Sequence, residues 1–374
     1  MKRIHRILSL SVLLFTCILL LTSTQPALAA LSWTPVGAAG FSAGQVLDTS
    51  LAVYNGIPYL AYKDFANGNK VTLMKYSGGS WSALGGAGFS AGVVATPSLA
   101  MEAGTPYVAY QDGANGYEAT VMKFNGSSWE TVGEAGFSAG VVNYVSLAVN
   151  NGTPYIAYQD VANFSKATVL KFNGSSWEAV GSAVSAGMAD NISLAVDGGV
   201  PYVAYVDRAN GSIARVMKFD GDNWNAVGSS GPSAGWAEYT SLAVEAGTPY
   251  VAYEDMITSS KATVMKFNGS SWETVGTAGF SAGAALFTSL VVVNSTPYVA
   301  YNDLPIGYKV TVMKYSAGGW HAVGAAGLSP DSVEYISLAV NNSEVYVAYR
   351  DKANGYKATV MKYGQRIYLP LVIR

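Results

Sequence analysis

The chain contains 374 residues, of which 50% are hydrophobic and only 12% are charged, and its formal net charge is −2 at pH 7. Nucleic acid and anionic lipid select basic surfaces, so this composition argues against both as partners. Cys17 is the only cysteine and lies close to the N-terminus. The rest of the chain therefore forms no disulfide bond, and its stability must come from burial.

The first 29 residues have the pattern of a secretory signal peptide. A basic start at 2–6 precedes an apolar stretch at 7–21, and Ala27-Leu28-Ala29 is a small-x-small cleavage site. The apolar stretch is too short to predict a membrane span. We therefore expect cleavage near Ala29 and a secreted, extracellular or cell-surface protein that is not an integral membrane protein. A repeat domain is predicted at 30–364 and an apolar tail at 365–374.

One sequence module is repeated seven times after the predicted signal peptide. Its tryptophans recur every 47 or 48 residues: Trp33, Trp81, Trp129, Trp177, Trp224, Trp272 and Trp320. A tyrosine-x-aspartate unit keeps the same period: Asp64, Asp112, Asp160, Asp207, Asp255, Asp303 and Asp351. So does a lysine: Lys75, Lys123, Lys171, Lys218, Lys266, Lys314 and Lys362. Such a period indicates a repeat architecture rather than an ordinary globular domain.

Each module predicts four short strands and no helix. In the module that starts at Trp129 the predicted strands are 129–132, 146–149, 154–159 and 166–172, and Asn173-Gly174 is a hairpin turn signal. After the predicted signal peptide, the repeats begin with a tryptophan strand at 33–36 and end with a strand at 359–363 that corresponds to 166–172. Pairing these two segments would close a ring and remove two exposed sheet edges.

A period in the forties with four strands per unit resembles the β-propeller superfamily, with a repeat length near that of kelch propellers and bacterial seven-bladed lectin propellers. The resemblance implies an all-β fold: a seven-bladed β-propeller of four-stranded antiparallel blades, closed by the N-terminal strand that completes the last blade. The first-to-second and third-to-fourth strand turns are tight and share one face. The other two connections are longer and share the opposite face, where binding is expected.

The residues that recur in every module are interpreted as structural. Each tryptophan is expected to pack a strand against the neighbouring blade, and each aspartate to accept N–H bonds from the adjacent connection. Each lysine stem is expected to cover apolar strand surface. One carboxylate per blade gives too few oxygens for calcium, and His321 is the only histidine after residue 29. We therefore predict no metal site, no cofactor and no named catalytic residue.

The copies differ most just before the strand predicted at 146–149 and its equivalents, which is the first strand of each blade and lies near the mouth of the channel. These rim pairs read Leu47-Asp48, Ala95-Thr96, Asn143-Tyr144, Asp190-Asn191, Glu238-Tyr239, Leu286-Phe287 and Glu334-Tyr335. Trp236, the one tryptophan outside the period, lies beside them. Aromatic rings next to carboxylates and amides suit carbohydrate or peptide capture, although drift in a tolerant loop would produce the same pattern. The predicted ligand-binding residues are Asn143, Tyr144, Asp190, Trp236, Glu238, Tyr239, Phe287, Glu334 and Tyr335.

Three hypotheses for function follow. The first is a lectin-like or adhesin-like scaffold whose partner is a carbohydrate or an extracellular protein. The second is an extracellular glycan-active hydrolase or lyase that uses two of Asp190, Glu238 and Glu334 as acid and base. The third is a passive surface protein with a sorting signal in its tail. The sequence favours binding over catalysis and leaves the oligomeric state open.

Overall fold

The computed structural model describes residues 31–365, which form seven antiparallel sheets of four strands each. Seven clusters of buried hydrophobic residues join each sheet to the next around a ring. The chain is a seven-bladed β-propeller, and the predicted fold class and blade count are confirmed. The predicted signal peptide, Cys17, the cleavage site near Ala29 and residues 366–374 lie outside the described residues.

Each blade consists of four strands that run from the central channel outward. Strand β1 (Leu31–Pro35) precedes the first blade. Blades 1 to 3 contain β2 (Val46–Tyr54), β3 (Ile57–Asp64), β4 (Lys70–Ser77), β5 (Ser80–Ala83), β6 (Val94–Glu102), β7 (Thr105–Asp112), β8 (Glu118–Phe124), β9 (Trp129–Thr131), β10 (Val142–Asn150), β11 (Thr153–Asp160), β12 (Lys166–Phe172) and β13 (Trp177–Ala179).

Blades 4 to 7 repeat this order. They contain β14 (Ala189–Asp197), β15 (Val200–Asp207), β16 (Ile213–Phe219), β17 (Trp224–Ala226), β18 (Ala237–Glu245), β19 (Thr248–Asp255), β20 (Lys261–Phe267), β21 (Trp272–Thr274), β22 (Ala285–Val293), β23 (Thr296–Asp303), β24 (Lys309–Ser316), β25 (Gly319–Ala322), β26 (Val333–Asn341), β27 (Glu344–Asp351) and β28 (Lys357–Gln365). A 3₁₀ turn joins the second and third strands of each blade: Phe65–Asn67, Gly113–Asn115, Val161–Asn163, Arg208–Asn210, Met256–Thr258, Leu304–Ile306 and Lys352–Asn354.

The N-terminal strand closes the ring as predicted. Strand β1 pairs antiparallel with β28, which places Trp33 opposite Tyr363. The last blade thereby gains its fourth strand from the other end of the chain, and no half-built sheet is left with an open edge. Within residues 31–365 no helix is long and apolar enough to cross a membrane.

The core lies between the blades rather than inside any one of them. The second strand of each blade is buried on both faces, as in β7, where the five residues from Pro106 to Tyr110 are all buried. Neighbouring blades cover both sides of this strand, so its sequence is a continuous apolar run instead of an alternating pattern. The first strand alternates instead, because one of its faces lines the channel.

Two belts of hydrogen bonds connect the blades. Every repeat tryptophan donates its indole N–H to a main-chain carbonyl of the preceding blade, at 2.6–2.8 Å, as Trp129 does to Leu84. Nearer the channel, a serine hydroxyl of each first strand accepts the N–H of a leucine in the next first strand, at 2.9–3.0 Å, as Ser50 does from Leu99. The structural interpretation of the tryptophans is confirmed.

The repeat aspartates end the second strands and are buried. Asp112 accepts the N–H of Ala114 at 3.0 Å and the hydroxyl of Thr120 at 2.9 Å. Asp64 and Asp255 accept equivalent main-chain bonds. In blades 1, 2, 5, 6 and 7 the threonine hydroxyl also accepts a glycine N–H from the long connection, as Thr120 does from Gly136. In three blades the aspartate thus holds its neighbouring turn, as the sequence predicts.

Blade 3 lacks this bond because the connection after it is one residue shorter than the others. Trp177 and Ser193 are one residue closer along the chain than Trp129 and Ser146, and the loss falls before Val184. Val184 still donates to the main chain at Ala167, but no N–H reaches the threonine of this blade. The buried hydroxyl of Thr168 is left without a hydrogen-bond partner.

Because Thr120 is hydrogen-bonded and Thr168 is not, the same substitution should have different effects on stability at these two equivalent positions. Thr120→Val removes two hydrogen bonds and leaves the part-buried N–H of Gly136 without its partner, so we expect a loss of about 1–3 kcal/mol in the free energy of unfolding. Thr168→Val removes no hydrogen bond, so its effect should stay within about 0.5 kcal/mol. Equilibrium denaturation of both variants measures the difference. An equal loss in both would contradict this account.

Candidate functional site

The rim pairs lie inside the first strand of each blade and not before it, which corrects the predicted strand boundary. In blade 3 the strand begins at Val142, four residues earlier than the predicted start at Ser146. The register of pairing between the first and second strands shifts between Asn143 and Ser146, and the same shift recurs in the other six blades. This β-bulge interrupts the two-residue alternation by which a strand is recognised.

The second residue of every rim pair has a left-handed backbone conformation. The φ angles lie between 48° and 53°: Asp48, Thr96, Tyr144, Asn191, Tyr239, Phe287 and Tyr335. None of the seven is glycine, and the conformation costs such residues about 1–2 kcal/mol. Bulges re-aim side chains, and strain that recurs at one ring of positions points to a functional or structural demand there. The rim is therefore the first place to examine for a site.

Arg208 joins two of the predicted rim carboxylates across a blade junction. Its Nε donates to Asp190 Oδ2 at 2.6 Å, and its Nη1 and Nη2 donate to Glu238 Oε1 and Oε2 at 2.7 and 2.9 Å. The pairing with Glu238 is a bidentate fork, the geometry in which guanidinium binds carboxylate most strongly. This bond also raises the pKa of Arg208 above its ordinary value. The three side chains are thereby held in fixed positions.

Exposed aromatic groups flank this ion pair. The indole of Trp236 donates to Glu238 Oε1 at 2.7 Å, and 51% of the residue is exposed. On the other side, a pocket of about 430 Å³ is lined by Thr96, Asn143, Tyr144, Gln159, Met188 and Asp190. Trp236 and Tyr144 therefore present aromatic surface on both flanks of the carboxylates.

Amide groups extend the network to blade 3. Asn143 donates to Gln159 at 2.9 Å, and Gln159 donates to Asp190 Oδ1 at 2.7 Å. A continuous polar chain thus runs from blade 3 to blade 5. We call the following residues the Arg208 sector: Asn143, Tyr144, Asp190, Arg208, Trp236 and Glu238. The sequence predicts five of these six residues, and the structure brings them together.

The predicted aromatic residues of blades 5 to 7 form a second group. Ring centroids are 4.8 Å apart for Tyr239 and Phe287, and 5.7 Å apart for Phe287 and Tyr335. The three rings follow one another along one arc of the rim, which gives a largely apolar surface beside the charged Arg208 sector. Burial raises the pKa of both tyrosines, so their hydroxyls stay protonated at neutral pH.

Glu334 lies apart from the other two predicted carboxylates. It forms an ion pair with Arg350, whose guanidinium lies 4.2 Å from the ring centre of Tyr356. Asp190 and Glu238 share a different arginine, Arg208, which lies three blades away. The three carboxylates of the hydrolase hypothesis therefore do not converge on one point, and each accepts a hydrogen bond from an arginine.

The sequence interpretation missed a second layer of rim residues. These occupy the variable position of the tyrosine-x-aspartate unit: Lys63, Gln111, Gln159, Val206, Glu254, Asn302 and Arg350. Each lies opposite the first residue of a rim pair, as Glu254 lies opposite Glu238. The signal was present, since this position varies between two invariant neighbours. Its link to the rim depends on strand register, which the hidden bulge obscured.

Glu254 is the unusual member of this layer. In blades 2, 3 and 6 the equivalent amide donates to a main-chain carbonyl of the next blade, at 2.6–2.9 Å. Glu254 is only 3% exposed, and burial, reinforced by repulsion from Glu238, raises its pKa to about 7. In its protonated form the carboxyl can donate an O–H hydrogen bond where the amides of the other blades donate an N–H.

This elevation predicts a pH dependence of stability. The pKa of Glu254 in the folded chain exceeds its usual value of 4.5. Its stabilising contribution is therefore fully present below about pH 4.5 and is lost as the pH rises through about 7. Glu254→Gln should remove this loss and gain about 1–3 kcal/mol relative to the native chain at pH 8. Thermal unfolding between pH 5 and 8 measures it.

Glu273→Gln serves as the control for this prediction because Glu273 lies on the exposed outer strand of the same blade. It should leave the pH profile of unfolding unchanged. If the native chain and the Glu254→Gln variant show parallel profiles over this range, the raised pKa is wrong.

No cluster of three or more histidine, cysteine or acidic side chains suited to a metal ion is present in the part of the chain that the structure describes. The site instead offers hydrogen-bond acceptors, a fixed cation and exposed rings. Groups of these kinds are suited to polar ligands with apolar faces.

Comparisons with known proteins place the fold but not the ligand. No family model and no curated protein matches the chain. Among solved structures, it is similar to an ulvan lyase of a new polysaccharide lyase family bound to -[GlcA(1-4)Rha3S]-, with a TM-score of 0.59 and 14% identity over 86% of this chain and 94% of that one.

Two further solved structures are similar to the chain. One is a mutant of the Aleuria aurantia lectin in complex with Fucα1-6GlcNAc, with a TM-score of 0.51 and 14% identity over 77% of this chain and 97% of that one. The other is Trypanosoma rangeli sialidase with the inhibitor DANA, with a TM-score of 0.50 and 10% identity over 90% of this chain and 60% of that one. At these identities the likeness shows the propeller fold alone.

Proposed function

We propose that the protein binds carbohydrate outside the cell through the Arg208 sector of the rim. The observation that carries this proposal is the arginine-held pair of carboxylates, Asp190 and Glu238, flanked by the exposed rings of Trp236 and Tyr144. Sugars present hydroxyl groups at their edges and apolar C–H faces, so they need acceptors and aromatic surfaces side by side. The sector supplies both within one stretch of the channel mouth.

The acceptors are held in place before a ligand arrives. Arg208 occupies both oxygens of Glu238 and one oxygen of Asp190, while Gln159 occupies the other. Oε1 of Glu238 also accepts from Trp236, but Oε2 of Glu238 and both oxygens of Asp190 each keep a second lone pair that can accept a sugar hydroxyl. Because the side chains are already immobilised, a ligand spends little free energy on ordering them. This rigidity favours recognition.

The structural neighbours support the class of ligand without assigning it. A lectin in complex with a fucosylated sugar and a lyase bound to a polysaccharide fragment share this architecture. A propeller of this kind is thus compatible with binding sugars. The predicted export signal agrees with a partner outside the cell, which is either a glycan or the glycan of an extracellular protein.

Substitution of the flanking rings tests the proposal. Tyr144→Ala and Trp236→Ala each remove one aromatic face, and each should weaken glycan binding about tenfold or more. A glycan array identifies the ligand, and titration calorimetry then gives the dissociation constants of the variants.

Tyr308→Ala is the matched control for Tyr144→Ala. Tyr308 is also exposed, has a left-handed φ of 59° and lies between β23 and β24 on the long-loop face, but in blade 6, outside the blades that form the Arg208 sector. It should leave binding unchanged. A glycan array without any binder, or equal binding by all three variants and the native chain, would refute the proposal.

Glu254 favours one alternative, an extracellular glycan-active lyase or hydrolase. A carboxyl group with a pKa of about 7 is suited to donate or accept a proton near neutral pH. In this case the native chain should turn over a member of a polysaccharide panel, and Glu254→Gln should reduce the rate by about 100-fold or more. Because glutamine preserves the fold, unchanged turnover would exclude Glu254, and absent turnover would leave binding alone.

A further inference from the structure

Four grooves of the same composition lie on the tight-turn face, opposite the Arg208 sector. They occur at the junctions of blades 1 and 2, 2 and 3, 3 and 4, and 6 and 7, with volumes of about 500, 630, 490 and 670 Å³. Each lies between the tight turns of two neighbouring blades. The repeat thus builds one kind of groove several times.

Every one of these grooves is lined by two repeat lysines, one from each blade. The pairs are Lys75 with Lys123, Lys123 with Lys171, Lys171 with Lys218, and Lys314 with Lys362. A second-strand tyrosine of the earlier blade lines each groove as well: Tyr59, Tyr107, Tyr155 and Tyr298. Each groove therefore combines two cations with an aromatic ring.

The lining carries few opposing charges. The first two grooves contain no acidic side chain, the third contains Asp220 and the fourth contains Glu344. The charges of the lining side chains sum to a positive value in all four grooves, although the whole chain has a net charge of −2 and Lys362 of the fourth groove pairs with Glu344 at 2.6 Å. Adjacent grooves share a lysine, since Lys123 lines the first two and Lys171 lines the second and third. Blades 1 to 4 therefore present a continuous cationic track.

The ammonium groups of the track are held but remain accessible. Lys75 lies 5.6 Å from the ring centre of Tyr59, and Lys218 lies 5.5 Å from that of Tyr202. Lys123 and Lys171 pair with Glu130 and Glu178 at 3.2 Å, through side chains that are 38–44% exposed. Exposed pairs of this kind contribute at most about 1 kcal/mol, so a ligand anion can replace the glutamate.

We propose that this track binds an acidic polysaccharide, with carboxylate or sulfate groups contacting the lysines. A linear polyanion that occupies several grooves at once gains avidity, because each further contact is intramolecular. A monomeric anion would reach only one groove and bind weakly. The site is independent of the Arg208 sector, which carries two carboxylates and one arginine and repels anions.

The test compares polymers and two triple variants of the full chain. The probes are polygalacturonate, which carries carboxylates, dextran sulfate, which carries sulfates, and neutral dextran. Lys75, Lys123 and Lys171 are replaced together by glutamine, and binding is measured by calorimetry at low and at physiological ionic strength. We expect the native chain to bind at least one anionic polymer and no neutral dextran, and the triple variant to lose about 100-fold in affinity.

A charge-matched control separates this site from general electrostatics. Lys70, Lys166 and Lys261 begin the third strands of their blades, at the ends remote from the grooves. Replacing these three by glutamine changes the net charge equally and should leave binding within about threefold of native. Tyr144→Ala should also leave polymer binding unchanged, which separates this proposal from that of the rim.

Each outcome decides the proposal. Binding of one anionic polymer alone supports it and assigns the anion. Equal loss in both triple variants, or no binding of either anionic polymer by the native chain, overturns it. Thermal unfolding checks that the groove variant is folded. If it is not, Lys123→Gln alone, which alters two grooves, should still reduce affinity several-fold and otherwise overturns the proposal.

Discussion

Each blade of this propeller depends on its neighbour for the partners of its buried polar groups. The indole of every repeat tryptophan donates to the preceding blade, and the serine hydroxyl of every first strand accepts an N–H from the next. Buried donors and acceptors are costly when unpaired, so a single module has no stable existence. Only a closed ring satisfies all seven copies, and closure requires β1 to pair with β28 across almost the whole chain.

This mutual dependence divides the surface into constrained and variable positions. The repeat tryptophans and first-strand serines, which bond to a neighbouring blade, recur in all seven modules because each copy meets the same main-chain partner. Residues at the channel mouth and at the variable position of the tyrosine-x-aspartate unit meet the channel or a single partner, and there the copies diverge. The ring is therefore symmetric at the bonds that connect the blades. It is asymmetric at the rim, where Arg208 binds Asp190 and Glu238. The opposite face keeps its lysines in register, so any site there is repeated rather than unique.

The sequence predicted the strands well where alternation is regular and missed them where it is interrupted. The third strand of blade 3 was predicted at its observed bounds, 166–172. The first strand was predicted to begin four residues too late, because the bulge at Tyr144 breaks the alternation. For the same reason the opposition of Glu254 to Glu238 could not be anticipated. Five members of the Arg208 sector were predicted from their divergence, but Arg208 was not, because nothing in the sequence spacing brings it to the rim.

By itself, the sequence determined the number of modules, their all-β character and the closure of the ring, because each follows from a repeated local pattern of burial and from which strands the two ends supply. The tertiary structure decided which divergent residues meet. Arg208 bonds to partners 18 and 30 residues away, one in its own blade and one in the next. Whether these side chains meet depends on how closely two blades approach and on the backbone bulge. Both depend on packing between modules, which the sequence of a single module does not determine.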